Sequence, residues 1–422
     1  MSKVSITRSK LDALANTIST KSGAALPLTL DQMDAAVQSI DLTTGSVYQD
    51  QDGFLVVDDG ESSAPQGNVS ITANGTYDVA QYAGASVEVP VGMSETDLRK
   101  YIARDVTFRD IDWPDGMTNI GPYAFAGCSY FNPSGLPSGI TYIASNAFSG
   151  CSNLALTELP SGITSINAYT FYNCPSLALT SLPSSVTSIG IYAFYDCSSL
   201  ALTELPSGLT RVSSYAFCGC SNLALTELPS GFTGIDSAAF LNCSSLAITE
   251  IPSNVTSLAN NAFCGCTSLT SISSTGHITS VSYPVFTGTN KNPTMQLRSA
   301  SFPNMETSSS IGYVFGNTTA ANACQLLEFC DIGSTTGIGA NAFANCYALE
   351  KLVLRKTASV CSLNSVSAFL NTPMRGYDGK TGKVYVPSAL ISSYQTATNW
   401  ATLYNAGTVE FLAIEGSEYE RD

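Results

Sequence analysis

Charge is scarce in this sequence. Charged side chains make up 12% of its 422 residues, with 18 Lys and Arg against 33 Asp and Glu for a net charge of −15. A protein that grips a nucleic-acid backbone needs a basic patch to displace condensed counterions. No window supplies one, which excludes nucleic acid as a partner and, on the same ground, an anionic membrane surface. Histidine is all but missing: His277 stands alone, with no carboxylate or cysteine that the sequence places beside it, so a His-based triad or metal centre is disfavoured. No run approaches the ~20 apolar residues of a membrane span, and no membrane insertion is expected. The opening MSKVSITRSKLDALANTIST lacks the apolar segment of a secretory signal. The chain is expected to be made in a cytoplasm and not to leave by the signal-peptide route.

Apolar residues still amount to 44%, enough for an ordered core. The surface is therefore covered mainly by hydroxyl and amide side chains. A chain this long exceeds one ordinary core, so several domains or a repeat architecture are expected.

The repeat is plain. Units begin at Pro114, Pro137, Pro160, Pro183, Pro206, Pro229 and Pro252, each step being 23 residues. Leu154, Leu177, Leu200, Leu223, Leu246 and Leu269 recur, followed two residues on by Leu156, Leu179, Leu202, Leu225 and Ile248. A spacing of two is the strand period and predicts a short strand there. A second short strand is predicted over 163–166, 186–189 and 209–212. Phe125, Phe148, Phe171, Phe194, Phe217, Phe240, Phe263 and Phe286 keep one position, which predicts a stacked column of rings. Gly127, Gly150, Asn173, Asp196, Gly219, Asn242 and Gly265 share the position before a recurring cysteine. Only residues that tolerate positive φ occur there, so a left-handed corner is predicted in each coil. The fold class is a mainly β repeat solenoid with small N-terminal helical and β modules and a C-terminal cap.

Three columns are candidates for function or structure. Cys128, Cys151, Cys174, Cys197, Cys220, Cys243 and Cys266 read as small apolar fillers of a tight turn, kept as reduced thiols. Neighbours about 5 Å apart are within disulfide reach by distance, but equivalent side chains point the same way. Metal binding is not expected of them, because the Cys-x-Cys pairs at Cys218/Cys220 and Cys264/Cys266 lack the four-ligand spacing of a zinc site. Glu158, Glu204, Glu227 and Glu250 form an acidic column, read as a solvated edge that discourages aggregation, with a weak cation site and paired-carboxylate catalysis as the other readings. Tyr123, Tyr169, Tyr192 and Tyr215 share the position two before Phe, where Asn146 and Asn261 also stand, and Tyr172 and Tyr195 follow the Phe. Tyrosine gives contact area at low entropy cost, so these six are the candidate binding residues. Packing between coils is the competing reading. Asparagine in the column argues that it is partly wet. No catalytic residue, metal or cofactor is assigned.

The chain divides by sequence into a helical attachment module (1–40), a linker with a hairpin signal (41–66), a small β module with Asn74-Gly75 as its turn (67–91), and a helical N-terminal cap (92–113). Regular repeats (114–275), degenerate repeats (276–371) and a C-terminal cap (372–422) follow. In 1–40, Leu11, Leu14 and Ile18 lie on one helical face, and Leu30, Met33, Val37 and Ile40 on another. Two such helices bury too little alone, so self-association or docking on another protein is expected. The cap reads as strand, amphipathic helix with Trp400, then strand.

The pattern T-S-I-x-x-x-A-F-x-x-C-S-x-L, as in 187–200, resembles the BspA-like leucine-rich-repeat family over roughly 114–371. The Leu-Ala-Leu-Thr-Glu-Leu segment departs from it, since the family more often alternates Thr and Ile. The flanks, among them SVYQDQDGFLVVDD and KVYVPSALISSYQTATNW, are similar to modules of tail or fibre proteins from bacteriophages of gut Firmicutes. That resemblance implies a virion protein that recognises a bacterial surface glycan or protein through the solenoid. It would be joined to other tail proteins through 1–40. A bacterial cell-surface adhesin of the same repeat family is the alternative, and a virion structural protein or a polysaccharide depolymerase the third reading.

Overall fold

The computed structural model describes residues 110–420, apart from Asp112 and Pro114, together with the backbone of four short strands nearer the N-terminus. The helices expected within 1–40 and over 94–105 lie outside the described residues. Ser46–Gln49 pairs antiparallel with Leu55–Asp58, and Gly75–Asp78 with Ser86–Val89. Gly75 is itself in register with Val89, so it stands at the open end of that hairpin and not at its turn. An Asn-Gly turn keeps both residues outside the ladder, and here Gly75 is inside it.

Two compact units are formed, residues 1–163 with 167–177 and residues 164–166 with 178–422. The same coil recurs in both. In the second unit it is clearest around Phe217, where alternate amides point in opposite directions. Tyr215, Phe217 and Gly219 donate to the carbonyls of Ser237, Ala239 and Leu241 in the next coil at 3.0, 2.9 and 2.7 Å. Ala216, Cys218 and Cys220 donate within their own coil, to Ser213, Tyr215 and Phe217. In the first unit Tyr123, Phe125 and Gly127 do the same toward Ser145, Ala147 and Ser149. Left-handed residues stand at both ends of this segment. The corner before the cysteine is left-handed at Gly127, Gly150, Asn173, Asp196, Gly219, Asn242 and Gly265. So is the tyrosine column, with φ of 57° at Tyr169, 56° at Tyr192 and 58° at Tyr215.

The phenylalanine between these corners faces inward. Phe148 and Phe171 in the first unit, and Phe194, Phe217 and Phe240 in the second, are fully buried. Phe125, Phe148 and Phe171 stack at 5.3 and 5.5 Å, with Trp113 edge-on to Phe125 at 5.7 Å. In the second unit Phe194, Phe217, Phe240, Phe263 and Phe286 stack at 5.4 to 5.7 Å. That column runs on through Phe315, Phe343 and Phe369 and ends on Trp400 at 5.8 Å. Degenerate copies therefore keep the column while their length varies.

All thirteen cysteines are reduced, buried thiols. Cys151, Cys174, Cys197, Cys220 and Cys243 have no exposed surface. They are more than filler, because they donate. The Sγ of Cys151 reaches the Phe125 carbonyl at 2.9 Å and that of Cys174 the Phe148 carbonyl at 3.0 Å. In the second unit Cys220, Cys243 and Cys266 reach Phe194, Phe217 and Phe240, each at 3.0 Å. The phenylalanine carbonyl thus accepts from its own coil's cysteine amide and from the next coil's thiol, which satisfies a buried acceptor twice. Nearer the surface, hydroxyl ladders do the same: Thr187 and Thr233 donate to the carbonyls of Thr164 and Thr210, and Ser221 and Ser244 to those of Ser198 and Ser221. The wealth of Ser and Thr in the composition is this scaffolding.

The strand expected at the Leu-x-Leu pair is absent from the regular coils. Leu200, Leu202 and Leu205 are all buried, as are Leu223, Leu225 and Leu228. A gap of two followed by a gap of three cannot stay on one face of a strand, so the segment bends and keeps single bonds such as Ala224 to the Leu202 carbonyl at 3.1 Å. The other strand forms, as two-residue pieces: Ser165–Ile166, Ser188–Ile189, Arg211–Val212 and Gly234–Ile235 in one parallel sheet. Past residue 270 the picture changes. Ser271–Ser273, Ser299–Ser301, Phe329–Asp331, Lys351–Val353, Gly382–Val386 and Val409–Ala413 build one six-stranded parallel sheet. Ile272, Ala300, Cys330, Leu352, Val384 and Phe411 are the buried residues in register. Between the last two strands the cap holds two short helices, Ile391–Thr396 and Trp400–Asn405, where one was expected. Asn399, with φ 65°, breaks the run between them.

Candidate recognition surface

Each regular coil presents its tyrosines on either side of a buried phenylalanine. Because Phe194 at the centre points inward, Tyr192 before it and Tyr195 after it are left on the outer side, half-buried, with ring centroids 5.5 Å apart at 51°. Tyr215 in the next coil stacks on Tyr192 at 4.7 Å and 4°. Ile191, 41% exposed, adjoins this pair. Two coils further on the column narrows to Ala238, and Arg211 forms a two-point ion pair with Asp236 beside it. In the first unit Tyr169 and Tyr172 make the same tilted pair at 5.7 Å, and Tyr123 is half-buried at its own position.

Asparagine in this column has a backbone cause. Asn146, Asn261 and Asn341 share the left-handed φ of the tyrosines, at 61°, 58° and 60°. Asn is the non-glycine residue that adopts this conformation most easily, so its presence reports the corner and not wetness. A bulky residue there costs roughly 1–3 kcal/mol, which makes the tyrosines costly choices whose rings must return the energy through contact.

A second aromatic pair, which the sequence reading passed over, lies in the degenerate coils of the second unit. Tyr283, 52% exposed, stacks on Tyr313 at 6.3 Å. Asn341 Nδ2 donates to the Tyr313 hydroxyl at 2.8 Å, and Asn364 Nδ2 to the Ser310 hydroxyl at 3.2 Å. The Asn341 position in the repeat was the available signal, but Tyr283 and Tyr313 lie in copies too irregular to align with it.

The other candidates come apart. Glu204, Glu227 and Glu250 are exposed, and the last two line a shallow groove with Thr226, Ser230, Thr249 and Ser253. Glu158, in the first unit, is exposed as well. Among the described residues, no group of three or more His, Cys, Asp or Glu is placed to hold a metal. His277 has a partner after all: its Nε2 lies 3.3 Å from the Glu306 carboxylate, both side chains being largely exposed. Burial pushes the thiols up, Cys174 and Cys218 to about 12 and Cys264 to about 11. A thiol kept protonated in this way is a poor nucleophile at neutral pH. Among the described residues no helix is long and apolar enough to cross a membrane.

The profile of the BspA type leucine rich repeat region, six copies, matches residues 96–203, 187–320 and 293–374. No curated protein matches the sequence. Among solved structures, a leucine-rich repeat protein from Bacteroides ovatus is 22% identical, with 71% of this chain and 88% of that one covered and a TM-score of 0.37. A leucine rich cell surface protein from Faecalibacterium prausnitzii is 22% identical over 72% of this chain and 76% of its own, with a TM-score of 0.38. A leucine-rich repeat protein from Eubacterium ventriosum is 18% identical over 79% of this chain and 94% of its own, with a TM-score of 0.36. The three profile matches run through more than half of the chain, from residue 96 to residue 374, and the protein belongs to the BspA-type leucine-rich-repeat family.

Proposed function

We propose that this chain is a recognition protein displayed on a bacterial surface, which binds a surface glycan or protein through the tyrosine face of its coils and does no catalysis. The Tyr192–Tyr215 stack carries the reading, because a left-handed backbone is occupied by large half-buried rings at positions where asparagine would be cheaper. The repeat family supports display on the cell envelope. A second setting, the tail fibre of a bacteriophage, is favoured by the resemblance of the segments within 1–91 and of the C-terminal cap to phage tail proteins. Both settings use the same face.

Asparagine separates ring from backbone. The double variant Tyr192→Asn/Tyr215→Asn keeps residues suited to positive φ, so its thermal midpoint should stay within a few degrees of the parent. Its binding to intact candidate cells, followed by flow cytometry, should fall at least about tenfold, on the order of 1.4 kcal/mol. Undiminished binding would sink the proposal, and release of soluble fragments from host polysaccharide would overturn its non-catalytic part. Antibody labelling of intact cells against purified virions separates the two settings.

A further inference from the structure

Beyond its last strand the chain crosses back over the outward face of the six-stranded sheet. Tyr419 lies nearly parallel to Phe329 at 5.2 Å and meets Tyr385 edge-on at 4.6 Å. Lys351 Nζ is 3.0 Å from the Glu418 carboxylate and 5.8 Å from the centre of the Tyr419 ring. Arg355 Nη1 donates to the Tyr419 carbonyl at 3.0 Å. Asp331, only 2% exposed, holds that arginine from behind through Nε at 2.9 Å. The face is thus an aromatic slot between two strands, with one cation aimed at a side-chain carboxylate and one at a main-chain carbonyl.

Phe329, Lys351 and Tyr385 stand on strands of the sheet, and Arg355, two residues past one of them, is also held by Asp331. The crossing segment is a short turn closed on itself, with Gly416 N–H donating to the Glu420 carboxylate at 2.7 Å. It begins at Gly416, where φ is 76°. Its ion pair stays open to water, with Lys351 41% and Glu418 63% exposed. A hydrogen bond from Tyr419 and the Lys351 ammonium hold the Glu418 carboxyl below the usual carboxylate range.

We propose that this face is a peptide-binding site, closed in cis by residues 416–420 and open in trans to an acidic segment of another polypeptide with a glutamate directly before a tyrosine. Nothing in the recognition requires that the segment belong to the same chain: a ring for the slot, a carboxylate for Lys351 and a carbonyl for Arg355 suffice. The tether gives the cis segment an effective concentration in the millimolar range, so a weak trans ligand is masked until the strap is released. This site is separate from the tyrosine face and does not depend on its role.

The test uses the full chain and a labelled peptide of sequence IEGSEYE, followed by fluorescence anisotropy. The strap-released variant Glu418→Ala/Tyr419→Ala should bind the peptide at least about tenfold more tightly than the parent chain. Adding Lys351→Glu should abolish that gain, and a peptide with lysine in place of the glutamate before tyrosine should restore it. A released variant with parental circular dichroism and melting that ignores millimolar peptide would overturn the proposal, as would binding indifferent to Lys351→Glu. Should the variant not fold, hydrogen exchange on the parent decides: excess peptide is expected to speed exchange in 416–420, and unchanged exchange counts against the site.

Discussion

Within the second unit, the coils of 178–270 repeat at a fixed step and carry strands of two residues, whereas from residue 271 to 413 the coils vary in length and share a six-stranded parallel sheet. What the two stretches keep in common is the phenylalanine column and the thiol donated to a phenylalanine carbonyl, as at Cys220 to Phe194 and Cys324 to Phe286, each at 3.0 Å. What differs is the leucine face. A third buried leucine, three residues beyond the pair, bends the regular coils, whereas the later coils carry strands of three to five residues paired in register through Ala300, Cys330, Leu352, Val384 and Phe411. Coil stacking is therefore fixed at the aromatic corner, and sheet formation is a local matter of spacing on the other face.

The sharpest way to break this comparison is to cut the column in each half. Phe217→Ala and Phe343→Ala should each cost roughly 3–5 kcal/mol in urea unfolding, because both rings are fully buried and stacked on two neighbours. A small effect at Phe343 alone would mean that the later sheet, and not the column, holds those coils. Next comes the thiol. Cys243→Ala should lose about 1–2 kcal/mol, and Cys243→Ser less, since a hydroxyl can still donate to the Phe217 carbonyl. The reverse order would restore the cysteine to a mere apolar filler. At Cys346, whose bond to the Phe315 carbonyl is 3.6 Å, the gap between the two substitutions should shrink. Smallest of all is a difference in amide exchange. Ala300, Cys330 and Leu352, inside the sheet, should exchange about an order of magnitude more slowly than Leu202 and Leu225 in the bent segments. Equal protection would show that the regular coils are held on that face by more than their single bonds.

Much of the coil could be read from residues alone, and the failures have definite causes. The corner before cysteine was legible because its occupants, Gly127, Asn173 and Asp196 among them, share one backbone talent and little else. The second left-handed corner was hidden by its tyrosines, which look like ligand contacts, while Asn146 and Asn261 carried the true signal. Leucine spacing was misjudged by stopping at the pair: Leu205 and Leu228 were in view and forbid a straight strand. Phe315 and Phe369 belong to the column, but unequal insertions remove the step that would reveal them. The Tyr419 slot joins Phe329, Lys351, Arg355 and Tyr385 across the sheet, and no local pattern announces such a meeting.

A phenylalanine carbonyl that takes one donor from its own coil and one from the next makes each coil built this way a plug on one side and a socket on the other. Such a stack has no natural length. Within the second unit growth stops only where Trp400 replaces the next phenylalanine against Phe369, so whole coils could be duplicated or removed upstream of it without a new joint being invented. Variation in reach, from one relative to another, would then come from counting coils and not from redesigning them.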